Sequence, residues 1–130
     1  MNELLAEWIE KAEGDYATAQ RELRARKRVN YDAVCFHGQQ MAEKYLKALL
    51  FKGGVDFPKT HSLIELIQLA LPLDATLDMH KELFDRLEGY AVQYRYPGVA
   101  AGKDEARIAF RAAKQIRAVM RQKLGLHDRD

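Results

Sequence analysis

The chain has 130 residues and a formal net charge of +2 at pH 7. That length fits a single domain, and 48% hydrophobic against 31% charged residues excludes a disordered chain. Eighteen Ala and 16 Leu against 6 Val, 5 Ile and 3 Thr exclude a sandwich, barrel or Rossmann unit, because Ala and Leu favour helices whereas β-branched side chains favour strands.

The first helix is predicted over residues 2–26, where Leu4, Leu5, Trp8, Ile9, Ala12, Tyr16, Ala19 and Leu23 recur at helical spacing. Its charges are polarised: Glu3, Glu7, Glu10, Glu13 and Asp15 come early, and Arg21, Arg24, Arg26, Lys27 and Arg28 come late. Such polarity either complements the helix dipole or leaves a phosphate-binding patch at the end. A turn at Val29-Asn30 follows, with Asn30 or Asp32 as the next N-cap. The second helix runs to residue 52 and is the most apolar, so it is predicted to be buried on most of its surface. Gly53-Gly54 ends it. After a connection containing Pro58, Thr60 or Ser62 caps a short third helix, and Ser62 and Glu65 have capping-box spacing.

A fourth helix is predicted from Thr76 or Asp78 to residue 93, with Leu77, His80, Leu83, Phe84, Leu87, Tyr90, Ala91 and Tyr94 on one face. Residues 95–102 read as a loop. The last helix is predicted over 103–124, burying Ala109, Ala112, Ala113, Ile116, Val119 and Met120. Arg107, Arg111, Lys114, Arg117 and Arg121 are expected on its opposite face, either solvated or meeting an acidic partner or RNA. The expected fold class is all-α: an antiparallel up-and-down four-helix bundle with one additional short helix. Residues 1–124 form its single domain and residues 125–130 a C-terminal tail.

No apolar run approaches the roughly 20 residues of a membrane helix. The acidic start is unlike a signal peptide, and the single Cys35 forms no internal disulfide, so cytoplasmic residence is expected. P-loop, G-x-G-x-x-G, H-E-x-x-H and G-x-S-x-G motifs are absent, and His37, His61, His80 and His127 are scattered. Neither a metal site nor a cofactor is expected.

Two segments carry polar groups where a core would not want them. On the second helix, Gln40, Glu43, Lys44 and Lys47 form a stripe with i, i+3, i+4, i+7 spacing. Burying these groups without partners is costly, so the stripe either pairs internally, Glu43 with Lys47, or lines a cleft. After the fourth helix, Tyr94-Arg95-Tyr96-Pro97 is either an anchored loop or a guanidinium and two stacking faces offered to a nucleotide.

Taken together, the chain resembles the HEPN family of nucleotide-binding domains. The resemblance is carried by Trp8, Asp15 and Tyr16 and by Gln39-Gln40-Met41-Ala42-Glu43-Lys44-Tyr45-Leu46-Lys47-Ala48-Leu49-Leu50. Pro58-Lys59-Thr60-His61-Ser62-Leu63, Tyr94-Arg95-Tyr96-Pro97 and Glu105-Ala106 extend it. It implies a helical bundle that forms a homodimer, with a small nucleotidyltransferase as frequent partner, the two sometimes acting as toxin and antitoxin. Many members are ribonucleases that use an Arg and a following His with four to six residues between them. Here Arg95 occupies the Arg region, but no His follows through Gly102, and the only such spacing joins Arg121 to His127.

The expected function is therefore a non-catalytic nucleotide-binding or accessory module, acting as a homodimer beside a nucleotidyltransferase. Lys44, Lys47 and Arg95 would contact phosphates of an ATP- or GTP-like nucleotide or of RNA. Tyr94 or Tyr96 would stack on a base, and Gln40 and His61 would hydrogen-bond around the cleft. The alternatives are a metal-independent ribonuclease toxin, with His37 or His61 brought to Arg95 by folding, and a protein-interaction scaffold.

Overall fold

The structure, a computed structural model, describes residues 1–126. The tail residues 127–130, and with them His127 of the Arg121–His127 spacing, lie outside the described residues. All elements among the described residues are helical, as expected: α1 Glu3–Leu23, α2 Tyr31–Lys52, α3 Leu63–Ala70, a 3-10 turn Ala75–His80 running into α4 Lys81–Asp85, and α5 Lys103–Lys123. No helix among them is long and apolar enough to cross a membrane.

The up-and-down order is fixed by contacts at both ends of each pair. Trp8 near the start of α1 meets Phe57 just beyond the end of α2, and Glu22 at the end of α1 accepts from Asn30 N–H just before α2, so α1 and α2 are antiparallel. Lys123 reaches Asp74 while Glu105 reaches Tyr90 and Tyr94, so segment 75–95 is antiparallel to α5. The central helix is α2, which buries Val34, Cys35, Met41, Tyr45, Leu46 and Leu50 among others. Its Gly38 lies where an added Cβ would sit 3.5 Å from the Cβ of Ala113, so α2 and α5 cross closely over small residues.

Local sequence explains the ends. The Asn2 side chain accepts from Leu4 N–H (2.8 Å), and that of Asn30 accepts from Ala33 N–H (3.0 Å). Beyond α2, Gly54 takes a left-handed φ of 71°. Its N–H then reaches Phe51 C=O, and that of Val55 reaches Leu50 C=O (2.9 Å), which satisfies two carbonyls at the helix end. Gly125 and Leu126 repeat this arrangement after α5, with Leu126 N–H on Arg121 C=O at 2.8 Å.

α3 is held by a residue far along the chain. The Glu88 carboxylate accepts from Ser62 Oγ (2.9 Å), Leu63 N–H (2.9 Å) and Ile64 N–H (3.1 Å). It places an anion on the open donors and positive dipole of the helix start. Ser62 caps as expected by accepting from Glu65 N–H at 3.2 Å. The Glu65 side chain instead takes the Thr60 hydroxyl at 2.9 Å, and the Ser62 N–H goes to Thr60 Oγ1 at 3.1 Å, so Thr60 stands in for the reciprocal half of the capping box.

Three expectations are corrected. The first helix stops at Leu23 rather than near Arg26, so Arg24, Arg26, Lys27 and Arg28 lie beyond its last turn and are exposed. The long fourth helix does not form. Gly89 takes a φ of 91°, outside helical geometry, and residues 86–95 continue as single turns such as Val92 N–H to Gly89 C=O. Finally, Arg117 and Arg121 are not on the solvated face of α5. Arg117 forms a two-bonded pair with Glu13 (2.8 Å each), and buried Arg121 reaches Tyr45 Oη at 3.4 Å and Glu13 at 3.6 Å.

Candidate functional site

The polar stripe of α2 divides between two networks. In the first, buried Glu43 is the hub, with only 4% of its surface exposed. Its Oε1 accepts from His61 Nδ1 (2.9 Å), Gln39 Nε2 (3.2 Å) and Gln40 Nε2 (3.4 Å), and its Oε2 from Lys47 Nζ (3.0 Å). Gln39 also donates to the His61 carbonyl at 2.9 Å, which ties the loop before α3 onto α2. Lys47 is 8% exposed, and its ammonium lies 5.9 Å and 5.8 Å from the ring centroids of Trp8 and Phe57. Gln40, Lys47 and His61 are thus brought together around Glu43, and the expected i,i+4 pair forms inside the fold.

The second network centres on buried Asp15 of α1. Its Oδ1 accepts from His37 Nδ1 at 2.8 Å and its Oδ2 from Lys44 Nζ at 2.5 Å. Lys44 therefore pairs with a carboxylate of α1 rather than with Glu43. With Nδ1 engaged by a carboxylate, the orientation of the His37 ring is set and its Nε2 is left for other contacts.

His37 also lines a cleft of about 280 Å³, together with Asn30, Asp32, Phe36, Tyr90, Tyr94 and Arg95. Tyr90 and Tyr94 stack at 5.8 Å and 23°, and both phenols donate to Glu105, Tyr90 at 2.8 Å. Asp32 accepts from Ala101 N–H at 2.6 Å, which pins the loop after Tyr96 to the start of α2. Arg95 is exposed and forms no ion pair among the described residues, while Tyr96 is 72% exposed outside the cleft lining. A cation, an oriented imidazole and stacked aromatic rings thus share one opening.

The electrostatics of the hubs follow from their partners. Burial pushes the carboxyls of Glu43 and Asp15 up, but hydrogen bonds outweigh it and hold both below the ordinary range: His61, Lys47 and Gln39 on Glu43, His37 and Lys44 on Asp15. Glu13 behaves likewise, with burial offset by Arg117 and Tyr45. Hydrogen bonds from Lys123 and Thr76 lower Asp74 to about 2. A carboxylate depressed by folding stabilises the native state above its unfolded pKa, and that contribution is lost as pH falls through the folded value. Stability is therefore expected to be full above the ordinary carboxyl values of 3.8 and 4.5 and to decline as pH drops towards about 2. Thermal melts between pH 7 and pH 2 check this (roughly the acid-denaturation range); a melting temperature flat across that window refutes it.

A family profile described as the HEPN domain matches residues 5–123. The chain belongs to the HEPN family. Among solved structures, the crystal structure of TT1696 from Thermus thermophilus is similar to it at 30% sequence identity and a TM-score of 0.76. The similarity covers 92% of this chain and 97% of that one. No curated protein matches.

Within this HEPN chain, the segments that carry the resemblance take two places. Gln40, Lys47 and His61 surround Glu43, whereas Tyr94 and Arg95 open onto the cleft with His37. Asp32, Tyr90 and Glu105 shape that cleft without having been singled out as site residues from the sequence. From the sequence, Asp32 was legible as a candidate N-cap and Glu105 as part of the family resemblance, and neither reading pointed to the cleft.

Proposed function

We propose that this HEPN module binds the phosphates and base of a nucleotide in the cleft of His37, Tyr90, Tyr94 and Arg95. It would act as a non-catalytic homodimer beside a small nucleotidyltransferase, in the cytoplasm. The observation that carries the reading is the meeting of exposed Arg95 with His37 and a stacked tyrosine pair in one opening. Guanidinium groups suit phosphate oxygens, and aromatic faces suit bases. The Glu43 network takes the structural role: Lys47 is neutralised by Glu43 and Lys44 by Asp15, and neither lines the cleft, so phosphate contact falls to Arg95. Calorimetric titration with ATP and GTP tests this. Binding is expected, weakened at least about tenfold in Arg95→Ala with helicity intact, in line with the loss of one charged hydrogen-bonding group. Failure of millimolar nucleotide to bind or to shift the melting temperature would sink the reading.

The Asp15–His37 pair favours a second reading, metal-independent RNA cleavage. His37 Nε2 would take the proton of a ribose 2′-hydroxyl as its oxygen bonds phosphorus. The P–O5′ bond would break, the 5′-oxygen would take a proton from water, and Arg95 would neutralise the phosphoryl charge. Products ending in a 2′,3′-cyclic phosphate, lost in His37→Ala, would establish it.

A further inference from the structure

A second opening lies between α1 and α2, apart from the cleft. It is a groove of about 330 Å³, lined by Leu4, Glu7, Trp8 and Lys11 of α1 and by Lys44 of α2. That is the small end of the roughly 300–1,000 Å³ of small-molecule sites. The four α1 residues follow i, i+3, i+4, i+7 spacing and so share one face of the helix. Leu4 is exposed on it. Trp8 is half-buried and held in place, with Phe57 edge-on at 6.1 Å and 72° and the Lys47 ammonium 5.9 Å from its ring centroid.

The groove carries charges of both signs. Lys11 is exposed and forms no ion pair among the described residues, not even with Glu7 one turn away. Lys44 gives Asp15 one of the three N–H bonds of its ammonium, at 2.5 Å, and the other two are left for a ligand. Glu7 is exposed on the wall, and Glu3 and Glu10 stand exposed on the neighbouring turns. A bare carboxylate would meet three acids there, and a bare amine two ammoniums. A ligand with a carboxylate, an ammonium and an apolar body meets an opposite partner at each point. Its carboxylate suits Lys11 and Lys44, its ammonium suits Glu7, and its apolar body suits Leu4 and Trp8.

We infer that this groove binds a free α-amino acid with a large apolar side chain, and that its occupancy reaches the cleft through Asp15. The site itself stands apart from the cleft reading, and only its effect on the cleft rests on that reading. Lys44 and His37 are held by the two oxygens of one buried carboxylate, Oδ2 and Oδ1 of Asp15. A ligand carboxylate that shares Lys44 leaves more of the Asp15 charge to His37, which favours the imidazolium over the neutral ring. The other charged or titratable groups around His37 in the cleft are Asp32, Tyr90, Tyr94 and Arg95, and none of them lines the groove. An imidazolium attracts phosphate, so amino acid and nucleotide would each favour the binding of the other.

Trp8 is the single tryptophan of the chain, so its emission reads the groove directly. Titration of the full chain with L-phenylalanine is expected to give a saturable shift, with a dissociation constant on the order of 1 mM for so small a ligand. Phenylpropionate lacks the ammonium and phenethylamine lacks the carboxylate, and each should bind about tenfold more weakly. Lys11→Ala should weaken phenylalanine by about the same factor and leave ATP affinity unchanged. At saturating phenylalanine, calorimetric ATP affinity is expected to rise about fivefold, and in Lys44→Met this gain should vanish. Absence of a saturable shift overturns the site, as does binding of phenylpropionate or phenethylamine as tight as that of phenylalanine. A shift produced by diluting the protein, but not by phenylalanine, also overturns it, by placing a second copy on the groove. Unchanged ATP affinity at saturation overturns the coupling through Asp15. If ATP does not bind at all, the cleft reading fails and the coupling with it, while Trp8 emission still decides the groove.

Discussion

Glu43→Ala is expected to cost about 3–5 kcal/mol, the range for removing one partner of a buried ion pair. The chain would keep a lysine that is 8% exposed, held between Trp8 and Phe57, with no carboxylate facing it. Gln39, Gln40 and His61 would lose their common acceptor at the same time. Against a total stability of about 5–15 kcal/mol for a domain of this kind, that is a large share. Urea denaturation of both proteins measures it. Glu43→Gln should recover part of the loss, because an amide oxygen still accepts. Replacing Glu43 and Lys47 together by Met should cost less than Glu43→Ala alone, because no charge is then left buried. A single-variant cost below about 1 kcal/mol would place the network at the level of a surface pair and refute the argument.

Phe84→Ala is expected to cost a similar amount, about 3–5 kcal/mol. Segment 75–95 contains only a 3-10 turn, the five residues of α4 and a series of single turns, so backbone hydrogen bonding contributes less to its order than in the long helices. Its attachment depends on Leu77, Phe84 and Leu87, each with no measurable exposure. Removing the largest of the three opens a cavity beneath the part of the chain that carries Tyr90, Tyr94 and Arg95. Nucleotide affinity should therefore fall along with stability, although Phe84 does not line the cleft. Denaturation and titration of one preparation check both effects. A stable variant with unchanged melting and binding would show that the segment is held by other means.

The long helices were legible because their signals are local. Apolar spacing placed α1, α2 and α5 with their ends within about three residues, and Asn30 and Ser62 cap as their side chains suggest. Segment 76–93 misled because its apolar residues do keep helical spacing, whereas Gly89 interrupts the backbone without disturbing the pattern. Arg117 and Arg121 share steps of three and four with Arg107 and Arg111, yet only the first two meet Glu13, 104 residues from Arg117 in the chain. Nothing on α5 itself encodes that partner.

The candidate site was legible in its residue types more than in its grouping. Gln40, Lys44, Lys47, His61, Tyr94, Arg95 and Tyr96 look like one set along the sequence, but folding sorts them by carboxylate. Glu43 gathers Gln40, Lys47 and His61, Asp15 takes Lys44, and Glu105 takes Tyr94. The residue that joins the Asp15 network to the cleft, His37, was visible only as one of two imidazoles that folding could carry to Arg95. Which of the two it would be depends on segment 90–95 packing against the start of α2, a tertiary property.

The grip of Glu88 on α3 has a consequence for the order in which the chain assembles. Eight residues are fewer than the roughly 12–15 at which an isolated helix becomes even marginal in water. The anion that satisfies its first donors arrives from 25 positions downstream of Leu63, once segment 75–95 has returned to the bundle. α3 thus cannot seed folding. Its capping anion is in place only where segment 75–95 lies against the bundle, so the formation of α3 reports that the chain has closed on itself.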